Sequence, residues 1–239
     1  AVSTDYFYCP PEGISGDTLT IGGEEFSHLV HVMRKKEGDA IIVVDGKGNA
    51  YDALIGRIER HTALCRVESR RMHYREPELR VTLAAGVLKN PSRFDFLVEK
   101  ATELGVSEII PLRSARTIPS HARSGRWRKL ALAAMKQSGR SWLPAVRDLS
   151  DFAGVLEEFR GCANSVVAHE DPAVGSPFGE IRKPVAACSG LLLLVGPEGG
   201  FTPDEIGECL REGFGTLYLG ERRLRTETAA VVGLARLMS

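Results

Sequence analysis

The sequence predicts an α/β protein in two parts: a small β-barrel of about 75 residues, then a larger domain built on a parallel sheet. Three observations carry that reading. From Arg80 onward strand-like and helix-like segments alternate, the pattern of parallel strands joined by crossover helices. Leu191 to Val195 is a continuous apolar run, too short for a helix and suited to a strand buried on both faces. Before residue 75, several short β-branched segments are separated by turn-forming residues.

The first part opens with Glu24 to Met33, where Phe26, Leu29, Val30 and Met33 fall at helical spacing. Ala40 to Asp45, Tyr51 to Ile58 and Thr62 to Glu68 are strands, and Asp45-Gly46-Lys47-Gly48-Asn49 supplies hairpin turn chemistry. Several strands and one helix in this length suit a small barrel. Arg66, Arg70, Arg71, His73, Arg75 and Arg80 run through its exit, as a phosphate-binding face or as a solvated linker. Pro77 marks the expected boundary, giving domains 1–75 and 76–239.

In the second part Val81 to Leu88 is a strand. Ser92 to Leu104 is an amphipathic helix with Phe96, Leu97, Ala101 and Leu104 on its apolar stripe, ended by Gly105. Glu108 to Leu112 is a strand and Gly125 to Gly139 a basic helix with Trp127, Leu130, Ala134 and Met135 inward. Asp151 to Phe159 is a helix, Ser165 to Ala168 a strand, Thr216 to Leu219 a strand, and the last helix starts near Thr226.

The chain has no net charge, yet its charges are segregated. Pro111 to Arg147 holds nine Arg or Lys and no acid; Asp148 to Glu212 holds twelve acids against four bases. Such segregation predicts a local basic surface; the alternative is pairing of the two segments across the fold. Five scattered cysteines, Cys9, Cys65, Cys162, Cys188 and Cys209, with no CxxC pair, read as reduced thiols and exclude a zinc site. No apolar run approaches the roughly 18 residues of a membrane span, and the N-terminus lacks a secretion pattern. The expected compartment is therefore the cytoplasm.

Two strand ends carry the chemistry. Leu191 to Val195 stops at Gly196-Pro197-Glu198-Gly199-Gly200, followed by Thr202-Pro203-Asp204-Glu205. Thr202 is placed to cap a helix, Pro203 to occupy its first position and Glu205 to close a capping box. The loop thus sits at the carboxyl end of a parallel strand, where open α/β sheets bind ligands. The second end is Leu219-Gly220-Glu221-Arg222-Arg223-Leu224-Arg225-Thr226-Glu227-Thr228-Ala229-Ala230, leaving a strand and entering a helix capped by Thr226 or Thr228. Neither loop is GxGxxG or GxxxxGK[ST], and the chain has no GxSxG or HExxH, so dinucleotide, P-loop, esterase and zincin readings have no support. His169-Glu170-Asp171 lacks a second ligand cluster and reads as a hydrogen-bonded loop, with no metal. A pocket of backbone amides and carbonyls suits a neutral heterocycle such as adenine.

GPEGGFTPDE followed by LGERRLRTETA resembles the paired signature of the SPOUT-class methyltransferases, and within them the RsmE family. The resemblance runs along nearly the whole chain. His28-Leu29 through Met33-Arg34 and Gly38-Asp39 match the family's N-terminal unit. Lys89, Lys100 to Val106 and Pro111 match a first motif of its second domain; Arg126-Trp127, Gln137-Ser138, Arg140 and Pro144 match a middle one. Arg223 departs from the family, which usually has an aliphatic residue there.

The resemblance implies a knotted SPOUT (trefoil-knot) methyltransferase domain behind a PUA-like β-barrel, and a homodimer with RNA bridging both subunits. It implies S-adenosylmethionine as cofactor and methyl transfer to N3 of a uridine in 16S ribosomal RNA, with that RNA or the 30S ribosomal subunit as partner and neither metal nor membrane involved. The cofactor would contact Leu194, Gly196, Pro197, Glu198, Gly199, Gly200, Leu219, Gly220, Leu224, Thr226, Thr228 and Ala229. Arg225 is the expected catalytic residue; Glu198 either accepts the proton or braces the loop. His28, Arg34, Lys89, Gln137 and Arg140 are the expected RNA contacts. Another RNA target of the same enzyme class, or a non-catalytic RNA-binding factor, remain open at the level of sequence.

Overall fold

The computed structural model describes residues 6–162, 164–174 and 190–238, which fall into two compact units. The first comprises Ala1–Glu76 with Leu132–Leu143, the second Pro77–Ala131 with Pro144–Ser239.

The first unit is built from β1 (Tyr6–Tyr8), β2 (Ile14–Ser15), β3 (Thr18–Gly22), α1 (Gly23–Ser27), β4 (Ala40–Val44), β5 (Asn49–Ile58) and β6 (Thr62–Met72). α1 continues into a π-helical turn, His28–Val32. One sheet orders the strands β1-β4-β5-β6-β3-β2, antiparallel except for the parallel β1–β4 pair. The β4–β5 turn is fixed by Asp45, whose Oδ1 accepts from Lys47 N (2.7 Å) and Asn49 N (3.1 Å). β6 runs past the expected end at Glu68 because Ser69 to Met72 pair with Asn49 to Asp52. Arg70 and Arg71 are therefore strand residues rather than linker. Phe7, Leu19, Ile21, Leu29, Ile41 and Ile55 form the core. On another face Met135, fully buried, joins Ile42, Val44 and Ala50.

Arg140 belongs to this unit and corrects an expectation. Instead of facing RNA it is 4% exposed, with Nη2 2.6 Å and Nε 3.2 Å from Glu76 Oε2. The other Glu76 oxygen accepts from Ser141 N and Trp142 N, each at 2.8 Å. A buried guanidinium of this kind needs its carboxylate.

The second unit contains β7 (Arg80–Gly86), α2 (Pro91–Leu104), β8 (Glu108–Arg113), the first half of α3 (Ser124–Ser138), β9 (Ala145–Val146), β10 (Ser150–Asp151), α4 (Phe152–Glu158), β11 (Ser165–His169), β12 (Gly190–Val195), α5 (Pro203–Arg211), β13 (Gly215–Tyr218) and α6 (Thr226–Met238). Its sheet runs β10-β8-β7-β12-β11-β13, with β9 beside β8, and every pairing is parallel. That all-parallel sheet is what the apolar run of β12 predicts: Leu191 to Val195 are all buried.

α2 starts where Asn90 Oδ1 accepts from Ser92 N (3.0 Å), with Pro91 first in the helix, and ends on the left-handed Gly105 (φ 107°). Its apolar stripe differs from expectation. Phe94, Leu97, Val98 and Ala101 are buried, whereas Phe96 is 46% exposed and lies beside Lys100. The i, i+3, i+4, i+7 ladder starts at Phe94, whose ring stacks 4.2 Å from Trp127, so Phe96 falls on the opposite side.

Pairing dominates the basic segment. Within the second unit Arg113 meets Asp151, Arg126 meets Asp95, Arg128 meets Asp148, and Arg147 meets Glu108 and Glu158. In the first, Lys136 meets Glu25 and Arg140 meets Glu76. Six of the nine cations are thus paired with acids. Cys9, Cys65 and Cys209 are free and buried. Burial pushes the Cys65 and Cys209 thiols up to about 12, so neither is a nucleophile at neutral pH. Cys162 is disulfide-bonded, which corrects the expectation of reduced thiols at that residue; Cys188 lies outside the described residues.

Candidate active site

Because the sheet is all parallel, its strands deliver their carboxyl ends to one edge. β7 ends at Gly86, β12 at Val195, β11 at His169 and β13 at Tyr218. The chain steps from β7 to β8 on one side, while β12, β11 and β13 lie on the other. A ligand crevice belongs at such a reversal, and a cavity of about 550 Å³ lies there.

The loop after β12 forms one wall. Gly196 packs so tightly on its own loop that a Cβ there would lie 2.9 Å from Gly200 C, and Gly200 takes φ 69°. Gly86 lets this wall approach β7: a Cβ on it would lie 2.4 Å from Pro197 N. Beyond the loop, Thr202 Oγ1 accepts from Glu205 N (3.2 Å) and Glu205 Oε2 accepts from Thr202 N (2.8 Å), completing the expected capping box. Glu205 Oε1 also accepts from Ala115 N (2.8 Å), tying α5 to the segment after β8.

Two arginines fix this wall. Arg116 Nη1 donates to the carbonyls of Gly199 (2.7 Å) and Phe201 (3.2 Å). Arg93, in the first turn of α2, donates through Nε and Nη2 to both oxygens of Glu227 (2.8 and 2.7 Å) and through Nη1 to Glu198 Oε1 (3.3 Å). The loop after β12 and the start of α6 are therefore held by one guanidinium. Burial tends to raise the Glu227 carboxyl, but the Arg93 bond, a backbone bond and the charges of Arg93 and Arg225 together hold it below its ordinary range.

The segment after β13 forms the facing wall. Gly220 takes φ 109°, and Ala229 N donates to Arg225 O (2.8 Å) as α6 begins. A Cβ on Gly233 would lie 3.0 Å from a Leu193 methyl, so α6 packs closely on β12.

Of the expected cofactor contacts, Gly196, Pro197, Glu198, Gly199 and Gly200 line the cavity on one side, and Leu219, Gly220, Leu224, Thr226 and Ala229 on the other. Leu194 does not: it is 1% exposed and part of the core under the sheet edge. Thr228 is exposed and lies outside the lining, because successive residues of α6 point to different sides. Arg225 and Glu198 both line the cavity. Arg225 is exposed, and its side chain forms no hydrogen bond or ion pair with the described residues. Glu198 is engaged, accepting from Lys89 N (3.1 Å) as well as from Arg93.

Lys89 is exposed beside this wall. The other expected RNA contacts belong to the first unit. There Arg34 is exposed at φ 54° and Gln137 is exposed. His28 is half-buried, its ring 5.8 Å from that of Phe7, and its buried Nδ1 has no hydrogen-bond partner among the described residues. Sequence reasoning missed Asn90, Arg93 and Arg116 and read His169 and Glu170 only as a hydrogen-bonded loop; all five also line the cavity. His169 behaves as the expected loop histidine, its Nδ1 accepting from Asp171 N (3.0 Å). Arg223, the departure from the family, is 76% exposed at the side chain, so no packing suffers. Among the described residues no group of three His, Cys, Asp or Glu gathers as for a metal, and no helix is long and apolar enough to cross a membrane.

A cavity walled by two backbone-rich loops, with a free guanidinium at its rim, suits a heterocyclic ligand and a developing negative charge beside it. Known proteins agree with that geometry. Residues 75–238 match the RNA methyltransferase domain family and residues 21–68 the RNA methyltransferase PUA domain. A ribosomal RNA small subunit methyltransferase E of Bacillus subtilis is 33% identical over 91% of this chain and 88% of its own. That of Synechocystis is 32% identical over 95% of this chain and 75% of its own. The crystal structure of the Neisseria gonorrhoeae protein of that name, bound to S-adenosyl methionine, is 31% identical with a TM-score of 0.85, covering 98% of this chain and 96% of that one. On identity and coverage at this level, the chain belongs to the ribosomal RNA small subunit methyltransferase E family.

Proposed function

We propose that this protein transfers a methyl group from S-adenosylmethionine to N3 of a uridine in 16S ribosomal RNA. The observation that carries the reading is the cavity where the sheet order reverses, walled by the GPEGG and LGERRLRTETA loops. Its volume of about 550 Å³ suits a ligand of nucleoside size with an amino-acid tail. The donor set fits as well. Backbone groups of Gly196 to Gly200 and of Leu219-Gly220 would hold the heterocycle, with Phe201, Ile206 and Leu224 as apolar surface.

The cofactor supplies an activated methyl on a sulfonium. The residues here align and exclude water; holding donor and acceptor in line accounts for much of the acceleration. Transfer to N3 would replace the N3 proton by the methyl group, so negative charge would develop on the uracil ring as that proton is lost. Uridine N3 lies on the pairing edge, so the base must be unpaired or flipped to be reached. Arg225 is the catalytic residue: its free guanidinium stabilises charge developing on the uracil carbonyls. Glu198 braces the loop, because its Oε1 is spent on Lys89 N and Arg93.

The expected boundary near residue 75 divides an RNA-binding PUA part, to which Leu132–Leu143 also belongs, from the catalytic domain, with His28, Arg34, Lys89 and Gln137 as RNA contacts. The catalytic domain carries a trefoil knot; the placing of β12 between β7 and β11 supports it. The enzyme works as a homodimer, in the cytoplasm, on RNA of the 30S subunit. Incubation with unmodified small subunits and labelled donor, followed by mapping of the nucleotide, tests the reading. One labelled N3-methyluridine is expected; label on another base, or none, rejects it.

A further inference from the structure

Five arginines line the cavity, and they divide into two kinds. Arg93 and Arg116 are spent on carboxylates and carbonyls of the walls. Arg222, Arg223 and Arg225 are exposed on the segment between β13 and α6. Among the described residues, Arg223 has Glu170 at 3.9 Å, and Arg225 feels the charge of Glu227, which Arg93 already holds. The side chains of Arg223 and Glu170 are about three-quarters exposed, so water screens most of their interaction. Three like charges within four residues repel one another, and the local sequence offers only the flanking Glu221 and Glu227, Glu227 being held by Arg93. The cofactor does not neutralise them either. Its sulfonium and ammonium outweigh its carboxylate, so it brings net positive charge. The ligand that satisfies this rim is a separate polyanion.

Resting on the proposed function, we infer that Arg222 and Arg223 form a phosphate clamp at the cavity mouth. It grips the RNA backbone beside the reacting nucleotide and leaves Arg225 for the base. The clamp contributes RNA affinity with little sequence preference, since phosphate contacts position and do not read.

The test uses the full chain, a short single-stranded RNA centred on a uridine, and a series of salt concentrations. On single-stranded nucleic acid, each phosphate neutralised by a protein cation adds roughly 0.7 to the slope of log affinity against log salt. R222Q/R223Q therefore flattens the slope by about 1.4 and lowers RNA affinity at least tenfold at 0.1 M salt. Calorimetric affinity for S-adenosylmethionine stays within twofold, and R222K/R223K keeps most of the slope. An unchanged slope in the glutamine variant overturns the clamp, as does an equal loss of cofactor affinity or a wild type that binds no RNA. Methylation of small subunits by the wild type is scored separately. If it fails while the slope still flattens, the clamp stands and the proposed reaction falls.

Discussion

Arg93 holds two carboxylates contributed by segments more than a hundred residues away in sequence. Its removal leaves Glu227, whose side chain is 10% exposed, without its bidentate partner. Stripping one partner from a fully buried pair costs about 3 to 5 kcal/mol. Arg93 itself is 24% exposed, so R93A is expected to cost about 2 kcal/mol in a urea melt and to weaken cofactor binding about tenfold. R93K keeps the charge without the planar fork and should recover part of each loss. The same pair predicts a pH dependence. Glu227 is held below the ordinary 4.5, so its contribution is complete above that value and lost as pH falls through the lowered one. Urea midpoints of wild type and E227Q should therefore differ at pH 7 and converge toward pH 3; a gap that stays constant would remove the ionised carboxylate from the account.

The two loop-bearing strand ends show what kind of information an element carries in its own sequence. The capping box of α5 and the start of α6 depend on contacts within a few residues, and the apolar run of β12 marks a strand before its partners are known; each is where the local pattern places it. Most other strands and helices of both units are likewise where the local pattern places them. The braces are different. Arg93 and Arg116 meet partners 83 to 134 residues distant, and no periodicity marks them. Leu194 illustrates a subtler failure, because a strand beside a cavity still turns residues into the core. Phe96 fails for phase: apolarity alone does not say which of two aromatics starts a helix stripe. Gly86 also escapes local reading, since its neighbour Pro197 is brought close only by β7–β12 pairing. Overpacking of this sort costs about 1 to 3 kcal/mol. G86A should lose about that much stability and displace the GPEGG wall, with cofactor affinity falling tenfold or more by calorimetry. T202A, which touches only the cap, should cost about 1 kcal/mol and leave that affinity nearly intact.

At the scale of the molecule, chain order and compact units do not coincide. Leu132–Leu143 follows a long stretch of the second unit yet belongs to the first. The basic composition of this region points toward RNA, but much of what it does is internal. Met135 is fully buried against Ile42, Val44 and Ala50. Arg140, Ser141 and Trp142 saturate Glu76. Gly48 N donates to Ser141 O (3.0 Å) and Leu143 N to Gly46 O (3.1 Å). A fragment ending at Glu76 would thus expose an apolar face and leave a carboxylate, buried in the whole unit, without its partners. Deleting one large apolar side chain from a core already costs about 2 to 5 kcal/mol, a large share of a small domain's total stability. We expect residues 1–76 alone to show no cooperative melt and weak near-ultraviolet dichroism. Joining Leu132–Leu143 to them through a flexible glycine-serine linker should restore both signals, and R140A in that fusion should abolish them again. A cooperative melt from the unjoined fragment would mean that the sheet and its Phe7–Leu29 core suffice, and that the helix end only decorates them.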